Sequence, residues 1–498
     1  MSYQQAMRKN VFVAFSLQLI KIGITFINRT IFIIYLGIFY QGINSVFANL
    51  ISFFELFELG IGVSLTYFLY KPLAENNDGK VRGILQLYQK IYRIIVSLIV
   101  LAGIGISFFL PIFLKDVTMT PELYVIFGLY VLKMACTYLY AGDTNLMYAR
   151  QKKYVIDIVD FCLMVVMSIA QMLILMFTQS FLLYMVAWVG YILARSVIVA
   201  YISRKQTRYY TATPIPFTAN EQQELKQKVL GTFINKVAQL IIYNTDNLLL
   251  GMFLSVTYVG IYSNYNLVLM GVTYIANAVV NAMVAVVAHY LETHATEAQY
   301  ALFKQHNFLF YSAIYFGTLM LFLLLNPFVT VWVGVTFDQT VVAVIVVNFA
   351  LNLNRKIIET YKTAYGLLEY DKVKDLVEVG LNLALSLLFL VQFNLGLVGI
   401  LFGTIISNLV TSTWYNPYIL YRHGFQVAYR DYLLLWLKQV VVYSVGFAIC
   451  YYLGESHIQS FAHYTGKVLL AAGAIAAIYL LAYYHEVMML ISKKERKV

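Results

Sequence analysis

Cysteine, proline and charge are all scarce in this 498-residue chain. The three cysteines, Cys136, Cys162 and Cys450, lie inside apolar runs with no CxxC spacing, which excludes a disulfide framework. Seven prolines and the lack of a G-x-y period exclude a collagen-like chain. Charged residues make up 12% of the total, 35 Lys and Arg against 24 Asp and Glu. A soluble chain of this length would carry roughly 125, so these cannot cover a soluble surface. Disorder is excluded for the opposite reason, since 61% of residues are hydrophobic and the mean hydropathy is +0.73. Signals of catalysis are missing too. The seven histidines are scattered, and His289 and His294 stand outside the HExxH spacing. No GxSxG or Walker A sequence is present, so neither an enzyme nor a metal site is expected.

What the chain has is long apolar runs. They are too long, and alternate too little, for barrel strands, so they are read as helices. The expected fold is an all-α polytopic membrane protein with fourteen transmembrane helices: 11–37, 43–70, 84–114, 122–143, 158–178, 181–203, 229–254, 258–287, 307–328, 341–366, 376–393, 396–421, 432–453 and 467–490. Short joints such as Phe39–Gly42 and Ser255–Tyr258 imply antiparallel helical hairpins. The first span follows Arg8 and Lys9 without a cleavage site and reads as a retained helix.

The net charge of +11 divides by depth. Twenty-two bases fall at the termini and in the even-to-odd loops, and only Lys115 and Lys467 fall in the opposite loops. That asymmetry places both termini in the cytoplasm and removes the need for a nucleic acid partner.

The chain also contains a duplication. At an offset of 218 residues, Tyr40-Gln-Gly-Ile-Asn-Ser45 lies on Tyr258-Val-Gly-Ile-Tyr-Ser263, and Asp157-Ile-Val-Asp160 lies on Asp375-Leu-Val-Glu378. The repeat spans six helices, an even number, so its copies share one orientation about an axis along the membrane normal. The expected organisation is a six-helix lobe over 1–203, a cytoplasmic linker over 204–228, a second lobe over 229–423, and two extra helices with a basic tail over 424–498.

Eleven bases remain inside the spans. Lys90, Arg93, Arg195, Lys236, Lys362 and Lys438 lie near cytoplasmic ends and can snorkel to the interface. Lys21, Arg29, Lys133, Arg355 and Lys356 lie deeper, where each costs about 2.5–3.5 kcal/mol to insert. They belong to polar stripes at helical spacing, such as Gln18, Lys21, Thr25, Asn28 and Arg29, or Asn348, Asn352, Arg355, Glu359 and Lys362. Such stripes suit a shared wet cavity between two bundles. The plainer alternative is structural ion pairing, with Glu55, Glu58, Asp246 and Glu359 as counter-ions. A basic cavity suits phosphate or carboxylate.

Several segments also resemble a known family: Arg29-Thr-Ile-Phe-Ile-Ile-Tyr-Leu-Gly37, Phe57-Glu-Leu-Gly-Ile-Gly62, Asn244-Thr-Asp-Asn-Leu248, Val259-Gly-Ile-Tyr-Ser-Asn-Tyr265, Leu395-Gly-Leu-Val-Gly-Ile400 and Gly403-Thr404. Together with the helix count, they resemble the Wzx-type polysaccharide flippases of the multidrug/oligosaccharidyl-lipid/polysaccharide exporter superfamily. The resemblance implies translocation of an undecaprenyl-pyrophosphate-linked oligosaccharide from the inner to the outer leaflet of a bacterial cytoplasmic membrane, by alternating access. It further implies a monomer without a cofactor, coupled to a proton or sodium gradient or the membrane potential, and acting with a polysaccharide polymerase and other assembly proteins. In that setting Lys21, Arg29, Arg355 and Lys356, with Lys133 and Lys236, are the expected pyrophosphate ligands. Asp246, Glu55, Glu58 and Glu359 are expected to couple ions or balance charge. A cation-coupled multidrug antiporter and a peptidoglycan-precursor flippase are the alternatives.

Overall fold

The computed structural model describes residues 3–58, 60–205, 208–454 and 461–488, and side chains outside 3–19, 208, 230–244, 285, 372 and 461–462. The chain divides into two compact units, Met1–Ser263 and Asn264–Val498.

The first unit contains α1 (Tyr3–Ser52), α2 (Ile61–Ala74), α3 (Asp78–Ser107), the short α4 (Leu110–Phe113), α5 (Pro121–Tyr138), α6 (Ala141–Ala149), α7 (Lys153–Thr178), α8 (Phe181–Lys205) and α9 (Ala219–Phe253). Helix α10 (Val256–Thr293) runs across the boundary between the units. The second unit continues with α11 (Thr296–Val333), α12 (Gln339–Ala364), α13 (Asp371–Leu387), α14 (Gly396–Val410), α15 (Ser412–Ile419), α16 (Tyr429–Leu453) and α17 (Phe461–Ala482).

Local chemistry sets many of the ends. Thr120 caps α5 from in front of Pro121, whose missing N–H is harmless in a first turn. Thr218 and Glu221 form a reciprocal capping box at the start of α9. Gly334 closes α11 with φ 79°, a conformation that costs glycine nothing. In the first unit α8 packs against α5 and α7. In the second, α13 packs on α14, α11 on α12, and α16 on α17. The second unit has an aromatic core in which Phe303, Tyr361, Tyr421, Phe425 and Tyr432 are all buried.

Among the described residues, eleven helices are long and apolar enough to cross a membrane, or twelve if α5 and α6, bent by 42°, form one span. The expected fourteen is therefore not reached, and two regions account for the difference. Spans 11–37 and 43–70 are not parted by a loop, because helical structure in α1 continues through 39–42. The break falls earlier, at Gly37, with φ 83° and ψ 170°. The span expected over 229–254 lies on α9, where the side chains of 230–244 are outside the described residues. The joint expected at Ser255–Tyr258 falls slightly earlier, at Leu254–Ser255 between α9 and α10, and Val256–Tyr258 is already helical. The basic tail, Lys493 to Lys497, also lies outside the described residues.

Candidate functional site

The duplicated motif builds the centre of the first unit. A Cβ on Gly42 would fall 1.9 Å from the carbonyl oxygen of Val256, and one on Gly260 would fall 2.3 Å from that of Ile38. Gly42 and Gly260 are repeat equivalents, as are Ile38 and Val256, each pair 218 residues apart. The contact is therefore reciprocal, with each copy of the glycine seated on the other copy's backbone. Side chains larger than hydrogen are excluded there, which lets α1 and α10 approach closely.

That approach delivers Ser263 to two donors on α1. Arg29 Nη1 donates to Ser263 Oγ at 3.0 Å, and Gln41 Nε2 donates to Ser45 Oγ at 3.0 Å and to Ser263 Oγ at 3.4 Å. Ser263 in turn donates to the Gly260 carbonyl at 2.8 Å. Gln41 thus joins the two duplicated serines, and all three residues are buried. Asn28, beside Arg29, donates to Ser168 Oγ at 2.9 Å, while its own Oδ1 is buried with no hydrogen-bond partner among the described residues.

Lys133 belongs to the same region. Its Nζ stands 3.9 Å from the Trp188 ring centroid and 5.0 Å from that of Tyr130. Tyr130 donates to Asn44 Oδ1, and the Tyr184 ring lies 6.1 Å from Trp188 and 5.1 Å from Phe32. The Tyr130 and Tyr184 hydroxyls also lie close enough to Arg29 for electrostatic contact. Two cations from α1 and α5 therefore share one wall of rings from α5 and α8. Ring faces hold a cation without cancelling its charge, so the field of Lys133 stays available to an anion. Among the described residues no carboxylate forms an ion pair with Lys133. Lys21, two turns before Arg29 on the same stripe, is half-buried and likewise without an ion pair among the described residues.

The second unit uses its bases differently. Arg355 Nη1 donates to Glu378 at 3.0 Å, and its Nε lies 3.4 Å from Glu359. Glu378 also accepts from Ser412, and Lys374, 3.7 Å from Glu378, donates to Ser412 at 2.9 Å. Arg355 is thus tied into a buried network, as the plainer ion-pair alternative requires. Lys356, its neighbour, is half-buried and has no ion pair among the described residues. The repeat equivalent of Glu378 is Asp160, which receives Arg195 through both carboxylate oxygens, at 2.7 and 3.3 Å. The acid is duplicated, but its base comes from the following helix in the first unit and from the preceding helix in the second. Lys362 does not snorkel. It is wholly buried and donates to Asp371 and, at 3.0 Å, to Asn416.

The acids expected to couple ions are dispersed. Glu58 accepts from the Gly62 amide at 2.7 Å and from Tyr92 at 3.2 Å, and Glu359 pairs with Arg355. Glu55 is exposed in the 3-10 turn Phe53–Glu58 that follows α1. Asp246 has a buried Oδ1 with no hydrogen-bond partner among the described residues. The side chain of Lys236 lies outside the described residues. No cluster of three metal-ligating side chains occurs among the described residues.

Sequence reasoning overlooked Gln41, Tyr130, Tyr184, Trp188, Lys374 and Glu378 as site residues. The first and last lie within the duplicated segments. Tyr184 and Trp188, four residues apart, share a helix face, as do Tyr130 and Lys133.

No protein-family profile matches the sequence, and no curated protein matches it. Solved structures do match its fold. The lipid II flippase MurJ in an inward closed conformation aligns with TM-score 0.64 at 13% identity, over 95% of this chain and 100% of that one. An inward-facing MATE multidrug resistance transporter aligns with TM-score 0.59 at 12% identity, over 80% of this chain and 95% of that one. The Vibrio cholerae MATE transporter VcmN, in its bent form, aligns with TM-score 0.54 at 12% identity, over 86% of this chain and 98% of that one. The chain is a multi-pass membrane protein that shares its helical fold with these solved structures.

Proposed function

We propose that this protein is a flippase for undecaprenyl-pyrophosphate-linked oligosaccharides, carrying them from the cytoplasmic to the outer leaflet of a bacterial membrane with both termini in the cytoplasm. The observation that carries this reading is the cationic and aromatic cluster of the first unit. Arg29 and Lys133 face one group of rings, and Gln41, Ser45 and Ser263 lie beside them. A guanidinium binds phosphate through paired N–H groups, and an ammonium held on ring faces adds charge without a competing carboxylate. Tyrosine and tryptophan faces suit sugar rings. Lys21 extends the basic stripe, and Lys356 adds a deep base in the second unit with no ion pair among the described residues. Arg355 takes a supporting part through Glu378, and Asp246 is the acid best placed to respond to a cation or proton.

A second reading, the flipping of a peptidoglycan precursor, is favoured by the fold likeness to MurJ over the whole of that chain. Both readings place a lipid pyrophosphate in the same cluster. A cationic drug fits it poorly, because the charge has the wrong sign.

The test is flipping by the purified chain in proteoliposomes, with fluorescent undecaprenyl-pyrophosphate oligosaccharide, lipid II and a cationic dye as alternative cargoes. Arg29→Gln should cut flipping of the oligosaccharide more than tenfold, since a charge-assisted contact is worth about 1.5–3 kcal/mol. Wild-type flipping by that variant would reject the cluster as the site. Preferential movement of lipid II would select the second reading, and movement of the dye alone would reject both.

A further inference from the structure

The first unit holds a cationic cavity apart from the cluster of Arg29 and Lys133. It measures about 690 Å3 and lies between α3, the α5–α6 bend and the end of α8. The 42° bend opens it, since Tyr138, Leu139 and Tyr140 at the bend form part of its wall. Its polar lining includes Gln89, Arg93 and Ser97 from α3, with Arg204 and Tyr210 opposite.

Its charge is unbalanced. The one acid in the lining, Asp143, is buried and already engaged. Arg204 donates to both its oxygens, at 3.2 and 3.4 Å, and Tyr210 donates to it at 2.5 Å. Arg82 stands over the Tyr210 ring at 5.5 Å, so a third guanidinium approaches the same place. Arg93 is exposed and forms no ion pair among the described residues. The lining thus carries two guanidinium groups and one carboxylate, with Arg82 behind Tyr210 and Glu58 accepting from the lining Tyr92 at 3.2 Å.

The cavity also continues into an apolar track. From Arg93 and Ser97 the same face of α3 carries Leu101, Ile104 and, just past its end, Phe108, exposed by 65%, 55% and 77%. Their spacing of four, four, three and four residues keeps one face over about 22 Å. One leaflet of hydrocarbon is about 15 Å deep. A basic, hydroxyl-rich pocket at the head of an apolar track matches a phosphodiester on acyl chains rather than a soluble anion.

We infer that this cavity binds the headgroup of an anionic glycerophospholipid, whose acyl chain lies along Leu101, Ile104 and Phe108. Arg93 supplies the uncommitted charge, Arg204 the second, and Gln89, Ser97 and Tyr140 meet the glycerol or headgroup hydroxyls. This site is separate from the proposed substrate cluster, and it stands if that proposal fails.

The test is native mass spectrometry of the full chain, delipidated in detergent and titrated with dioleoylphosphatidylglycerol or dioleoylphosphatidylcholine. Phosphatidylglycerol should bind more tightly, and Arg93→Gln should weaken it about fivefold while leaving phosphatidylcholine unchanged. Ser97→Phe, which fills the cavity without touching a charge, should weaken it as well. Arg29→Gln should leave it unchanged, which separates this site from the substrate cluster. Equal binding of the two lipids, or full binding by both Arg93→Gln and Ser97→Phe, overturns the inference. So does glycerol phosphate binding as tightly as the lipid, which would mean a soluble anion suffices. Stronger, Arg93-dependent binding of undecaprenyl phosphate would reassign the cavity to the carrier lipid and overturn it too.

Discussion

Arg29 and Arg355 carry the same charge at comparable depth, and their surroundings give them different work. Arg29 donates to a serine hydroxyl and faces rings, whereas Arg355 is bound to Glu378 at 3.0 Å. Removing one partner of a buried pair leaves the other charge stranded, at a cost of about 3–5 kcal/mol. Glu378→Gln should therefore lower Tm in detergent sharply, by leaving Arg355 and Lys374 without their shared acid. Arg29→Gln removes a bond to a neutral hydroxyl and should lower Tm less than Glu378→Gln does. If Glu378→Gln melts normally but no longer transports, the network acts on cargo rather than on stability. Lys133 resembles Arg29 in this, since ring faces hold it without neutralising it.

At the scale of elements, the duplicated glycines do what no apolar pattern can. Gly42 and Gly260 set α1 and α10 in reciprocal contact, with a backbone carbonyl 1.9 and 2.3 Å from where each Cβ would lie. Backbone carbonyls cannot rotate aside as side chains do. Gly42→Ala and Gly260→Ala should each cost about 1–3 kcal/mol, read as a fall in Tm. Both should also weaken the cargo site, because Ser263 reaches Arg29 and Gln41 through that approach. Unchanged Tm in both variants would mean that the helices part at no cost.

At the scale of the molecule, the segment after α8 is held to the first unit rather than crossing open solvent. Ile215 N–H donates to the Gly79 carbonyl at 2.9 Å, and a Cβ on Gly83 would fall 1.9 Å from the Ile215 carbonyl. Lys80 donates to the Pro216 carbonyl at 3.0 Å and to Glu221 at 2.6 Å. Burial works against the Glu221 charge, but Lys80 and the Thr218 donors outweigh it and hold the carboxyl below its ordinary 4.5. A depressed acid contributes stability above its unfolded value and loses it as pH falls through the folded one. The Tm difference between wild type and Glu221→Gln should be full near neutral pH and shrink below about pH 4.5. A difference that stays constant with pH would show that the clamp owes nothing to the charge.

Composition and apolar run length were enough to establish a helical membrane protein, because water and hydrocarbon sort side chains before any partner is chosen. The offset of 218 was legible as well, and with it the pairs Gly42 and Gly260, Ser45 and Ser263, Asp160 and Glu378. Polar stripes identified the faces of α1 and α12 that carry Arg29 and Arg355. What periodicity could not give is the partner across the gap. It marks a face but not what faces it, so Arg29 with Ser263, Lys133 with Trp188, and Arg355 with Glu378 had to come from packing. The joint between the first two expected spans moved for a related reason: one glycine torsion at Gly37 breaks α1 just before the loop that hydropathy expected at 39–42, where the chain is helical. Hydropathy sums over many residues, whereas a single φ angle or a 3 Å contact depends on one.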